Sequence, residues 1–113
     1  MAKTIGVEKS LAEILKGEPA IKFCFIYGSY ATGADKPGSD IDLFIIGGKD
    51  TTDSVAEKIS KLEKKIGREI NYRFFSEADF NQALKEKNSF ILNIIKNKKI
   101  FLIGHEKDFS QFN

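Results

Sequence analysis

The chain has 113 residues, with 18 Lys plus Arg against 16 Asp plus Glu. At this length folding covers roughly 60 to 68 % of the surface that the unfolded chain exposes, enough for one core and not for two. The net charge of +2 is too small to drive binding to a nucleic-acid backbone or an anionic membrane, so nucleic acid is unsupported and no membrane contact is expected.

The single Cys24 cannot make an intrachain disulfide and, inside the apolar run 21–27, reads as a small buried hydrophobe in a reducing compartment. The opening MAKTIGVEKS lacks the apolar segment of a signal peptide, and no stretch approaches the roughly 18 apolar residues of a membrane span. A cytoplasmic protein is the expectation.

In chain order, Val7, Leu11, Ile14 and Leu15 recur at helical spacing, with Gly17 as a stop and Pro19 as a bar, which predicts an amphipathic helix over 7–16. IKFCFIY, residues 21–27, is β-branched and aromatic and reads as a strand buried on both faces, ending abruptly at Gly28. After the turn-rich stretch 33–39, DIDLFII, residues 40–46, reads as a second strand ended by Gly47 and Gly48. Val55, Ile59, Leu62 and Ile66 predict a helix capped by Asp53 or Ser54 and stopped by Gly67. Residues 69–75 alternate with period two, and Ser76 with Asp79 three residues on forms a variant capping box for a helix through Phe80 and Leu84. A helix at 90–95, a strand at 99–103 and a polar tail from about residue 104 with Phe109 and Phe112 complete the reading. The expected fold class is α+β with an α/β-like alternation: a single domain over 1–113, with a mixed sheet of about four strands and helices packed against it.

The chemistry concentrates between the first two strands, in GSYATGADKPGSDID. Successive strand side chains alternate between faces, so Asp40 and Asp42 share a face at about 7 Å along the backbone. Two such charges beside Ile and Leu repel and lose hydration unless a cation compensates them or water reaches both. Carboxylates suit a hard divalent cation, and Mg2+ is typically shared between protein carboxylates and substrate phosphates. Gly28 lets a ligand approach the backbone, and Ser29 can open a helical turn toward an anion, as a triphosphate would require. Gly33, Pro37 and Gly38 turn the chain back, and Lys36 is a further phosphate candidate, set against the plain reading of a solvated lysine.

Gly28-Ser29, ten residues, then Asp40-x-Asp42, flanked by apolar strands, resembles the signature of the minimal nucleotidyltransferases of the DNA polymerase β superfamily. The run GREINYRFFSEADF and the later KIFLIG resemble short stand-alone members of that group, suggesting a complete domain. The resemblance implies a mixed sheet, two Mg2+ ions in the active complex, a nucleoside triphosphate, and transfer of a nucleoside monophosphate, expected to be AMP, to a hydroxyl. It assigns metals to Asp40 and Asp42 and phosphates to Gly28 and Ser29. It also implies a third carboxylate where this chain has Asn71, a weaker ligand that cannot act as a base.

Glu69, two residues before Asn71, either substitutes as a metal ligand or belongs, with Asn71 and Arg73, to the wet outer face of an edge strand. The resemblance further implies a partner, either a small helical protein of a toxin–antitoxin pair or a second copy in a homo-oligomer. The alternative is a nucleotidyltransferase-like module that docks without catalysis; a blander one is a merely solvated acidic loop. His105 stands alone and reads as a surface residue. Phe74, Phe75, Phe80, Phe90 and Phe101 read as core rather than as base-stacking platforms. No GxSxG elbow supports a hydrolase.

Overall fold

The computed structural model describes residues 3–34, 36 and 38–110, with the side chains of residues 7–34, 36 and 38–109. The elements are α1 (Lys3–Leu15), β1 (Ile21–Tyr27), α2 (Ser29–Thr32), β2 (Ile41–Gly47), α3 (Thr52–Ile66), β3 (Ile70–Phe75), α4 (Glu77–Lys85), α5 (Ser89–Lys96), β4 (Ile100–Ile103) and α6 (Glu106–Ser110). The expected elements are present, and the class is α+β around a mixed sheet of order β3-β2-β1-β4. Strand β1 pairs antiparallel with both β2 and β4, whereas β3 runs parallel to β2. A parallel pair needs a crossover, and α3 supplies it.

Side-chain alternation divides the interior into two chemically different layers. Cys24 and Ile26 of β1 and Ile41, Leu43 and Ile45 of β2 face α1 and α3, which contribute Leu11, Leu15, Val55, Ile59 and Leu62. Phe23 and Phe25 of β1 and Phe44 and Ile46 of β2 face α4, α5 and α6, which contribute Phe80, Ala83, Ile91, Ile94 and Phe109. The rings of Phe25, Phe44 and Phe75 stack in file across three strands, with centroids 5.1 Å apart at each step. In α3, burial of Val55, Ile59 and Leu62 contributes about 1.5–3 kcal/mol each, against tenths for a charge pair on its wet face, so the apolar stripe sets how the helix lies.

Three expectations need correction. Helix α3 starts at Thr52, behind a 3-10 turn at Lys49–Thr51, so neither Asp53 nor Ser54 caps it; Ser54 instead donates to the Glu18 carboxylate. Helix α1 begins at Lys3, four residues before the expected start. The polar tail is not wholly a tail: it folds into α6 and buries Phe109 edge-on against Phe23 and Phe25, at 5.6 and 5.1 Å. A lone aromatic in a polar segment has no periodicity, and what recruits it is the apolar gap beside β1 and β4. Phe112, Asp35 and Pro37 lie outside the described residues. Ser76 caps α4 as expected, accepting from the Asp79 amide at 3.1 Å, and Asn88 caps α5 through the Phe90 and Ile91 amides. Among the described residues no helix is long and apolar enough to cross a membrane.

Candidate active site

Strand β1 ends at Tyr27, and Gly28 turns the chain with φ 73° and ψ −151°, a backbone state that residues bearing a Cβ rarely adopt. Crowding gives a second reason for glycine: a Cβ there would sit 2.5 Å from Oδ2 of Asp42. The carboxylate therefore packs directly on the turn. Ser29 opens α2, whose first bonds run from the Ala31 and Thr32 amides to the Gly28 carbonyl, at 3.1 and 3.2 Å.

Asp42 stands opposite Tyr27 on one side and Asn71 on the other, so the three side chains form a row across β1, β2 and β3 at one edge of the aromatic layer. Asp40 lies just before β2 and is exposed. Asn71 Nδ2 donates to Oδ2 of Asp40 at 2.9 Å, and Asn71 itself stands beside Asp42 in the strand register. The two acids thus share one face, with a neutral amide beside both. Desolvation, and then the charge of Asp40, hold the Asp42 carboxyl above the usual carboxylate range, while the Asn71 amide opposes them.

Glu69 is exposed one residue before β3, and its carbonyl accepts from the Ile41 amide at 2.9 Å. Among the described residues no three His, Cys, Asp or Glu side chains converge, so Glu69 is not gathered with Asp40 and Asp42. Strand β3 is an edge strand, as one of the two readings of its polar row holds. Lys36 is exposed in the connecting loop, and His105 is exposed beyond β4.

Sequence reasoning missed three parts of the site. Arg68, in the α3–β3 turn, donates from Nε to the Ser39 carbonyl at 3.0 Å and lies 5.8 Å over the Tyr30 ring, tying the loop before Asp40 to α2. Tyr27, Asp42, Asn71, Arg73 and Phe90 line an open pocket of about 740 Å3. Arg73 lies 4.5 Å over the Phe90 ring. Burial, and then the charge of Asp42, push the Tyr27 hydroxyl upward in pKa against the opposing pull of Arg73. The only signal in the sequence was the position of Tyr27 beside Gly28 and of Arg73 two residues after Asn71; Phe90 arrives from a distant helix.

The family model described as Polymerase beta, Nucleotidyltransferase matches residues 9–107. A solved structure described as a toxin–antitoxin with AMP-PNP is 21 % identical, covers 93 % of this chain and 79 % of its own, and superposes with a TM-score of 0.62. Two structures of mutants of the toxin–antitoxin MntA-HpeT also cover 93 % of this chain: one is 16 % identical over 79 % of its own length with a TM-score of 0.63, the other 21 % over 78 % with 0.60. At these identities the likeness is one of fold. No curated protein matches the chain.

Proposed function

This chain belongs to the polymerase β nucleotidyltransferase family, and from that premise we propose that it moves AMP from ATP onto a hydroxyl of an acceptor, releasing pyrophosphate. The acceptor oxygen attacks the α-phosphorus, the bond to the bridging oxygen of pyrophosphate breaks, and the hydroxyl proton passes to water. The observation that carries this reading is the packing of the Asp42 carboxylate on the Gly28 turn, with Asp40 on the same face through Asn71.

The donor set fits Mg2+: two carboxylates on one face, one of them raised in pKa by desolvation and by its neighbour's charge, a cost that a cation would offset. Asp40 and Asp42 would hold the metal, with the Asn71 amide oxygen as the further ligand nearest to them. Bound there, Mg2+ would neutralise the triphosphate and lower the pKa of the attacking hydroxyl. Gly28 and Ser29 receive the β and γ phosphates, Lys36 adds positive charge from the loop, and Arg68 keeps loop and turn in register.

The proposed setting is the cytoplasm, with a small helical protein or a second copy as partner and acceptor. The toxin–antitoxin descriptions of the similar structures support a protein partner. The test is incubation of the chain and its partner with α-labelled ATP and Mg2+: label is expected on the acceptor, and it is lost in Asp42→Asn. One observation favours the second reading, a docking module without catalysis: Asn71 donates to Asp40 where a third carboxylate would stand. Under that reading the partner binds both proteins equally and neither transfers label.

A further inference from the structure

The pocket beside the acidic pair holds a guanidinium whose placement the carboxylates do not explain. Arg73 is exposed on an edge strand, and among the described residues it forms no ion pair. It is nevertheless held against carbon: its guanidinium lies 4.5 Å from the centroid of Phe90. Phe90 is fixed in turn. Its amide donates to the Asn88 cap at 2.9 Å, and its ring meets Tyr27 edge-on at 6.0 Å. A solvated arginine ordinarily spends its side-chain freedom in water; here planar charge is kept on planar carbon at the wall of a cavity of about 740 Å3, within the range of small-ligand sites.

We infer that the Arg73–Phe90 stack is the platform on which the base of the bound nucleotide lies. A guanidinium already packed on one ring can pack a second flat π-system on its outer face, as arginine does with bases, whereas a flexible ammonium cannot. The position suits that role. The pocket begins at Tyr27, the residue immediately before Gly28, and includes Asp42, so phosphates held at the turn leave the nucleoside beside Arg73. The core assignment of Phe90 is therefore half of its role: it is packed against the aromatic layer and also lines the pocket.

The inference rests on the nucleotidyltransferase reading, and the experiment separates the two. Dissociation constants for ATP and for inorganic tripolyphosphate, each with Mg2+, are measured by calorimetry on the full chain, Arg73→Lys and Arg73→Ala, with thermal melts as the folding control. The full chain is expected to bind ATP about 5 to 150-fold more tightly than tripolyphosphate, the range of one base stacked on a side-chain platform. In both variants that ratio falls to within about threefold of unity, and in Arg73→Lys, which keeps the charge, tripolyphosphate binds as before. Phe90→Leu, which removes the underlying ring, shrinks the ratio in the same direction. An unchanged ratio in Arg73→Lys and Arg73→Ala overturns the platform, as does a ratio of one in the full chain. If the full chain binds neither ligand, the nucleotidyltransferase reading falls, and the platform with it.

Discussion

The two ends of the β1–β2 hairpin are built alike and used differently. At each end a glycine stands where a Cβ would collide: 2.5 Å from an Asp42 carboxylate oxygen at Gly28, and 2.7 Å from the Ala20 carbonyl oxygen at Gly47. At the Gly47 end the neighbour is backbone, and the close approach serves only chain packing, with the Gly48 amide donating to the Ala20 carbonyl at 3.1 Å. At the Gly28 end the neighbour is a charged side chain held against a turn. Each end also carries a carboxylate with a displaced pKa, and the displacements have opposite signs. Lys58 and Ser54 bind Glu18 and hold it below the usual carboxylate range, while burial holds Asp42 above it. A charge held by partners is already compensated, whereas one raised in pKa by burial carries a cost that a bound cation would offset.

The largest effect expected from breaking this contrast is the loss of nucleotidyl transfer in the double variant Asp40→Ala with Asp42→Ala, by about a thousandfold or more, measured by label transfer, with melting temperature unchanged or raised. A melting temperature that falls by many degrees would show that the acids hold the fold together, and the two ends would then be alike.

Next come the two glycines. Gly47→Ala pushes on backbone and is expected to cost about 1–3 kcal/mol in urea unfolding, with activity per folded molecule retained. Gly28→Ala meets a similar strain cost from its left-handed backbone, but it also displaces Asp42, so activity falls about a hundredfold in molecules that remain folded. Equal activity losses for the two would erase the distinction.

Smaller still is Arg68→Ala, which frees the Ser39 carbonyl and is expected to raise KM for ATP about three to tenfold through looser turn geometry, with kcat changed less.

The smallest effect is in pH dependence, where the signs separate the ends. Because folding raises the pKa of Asp42, its contribution is full below the unfolded value and is lost as pH rises through the folded one; Asp42→Asn should melt above the parent at neutral pH, the gap closing in acid. Because folding lowers the pKa of Glu18, its contribution is present above the unfolded value and is lost as pH falls through the folded one; Glu18→Gln should melt below the parent at neutral pH, that gap also closing in acid. Melting curves from acid to neutral pH check both signs.

Reading the chain without coordinates went furthest where the physics is local. Period-two and helical patterns placed β1, β2, β3 and α3, and Ser76 with Asp79 marked the start of α4, because the groups that decide these features lie within a few residues of each other. The approach of Gly28 to Asp40 and Asp42 was legible because Gly33, Pro37 and Gly38 allow the chain between them to turn back, although the antiparallel pairing of β1 with β2 was not. Less was visible wherever the partner lies far along the chain. Phe109 joins the aromatic layer across a polar segment, Arg68 reaches back to Ser39, and Arg73 meets Phe90 only because α5 folds over the edge of β3.

From its residues alone the chain could declare most of its elements and the acid pair with its glycine turn, since each is decided by neighbours in sequence; the division of the interior into two layers and the folding of α6 were not among them. Tertiary structure decided that Asn71 lies between Asp40 and Asp42, that Asp42 is short of water, and that Arg73 rests on Phe90 beside them. These depend on parallel pairing of β3 with β2 and on the docking of α5, contacts whose loop-closure cost is offset only when the whole apolar interior forms at once.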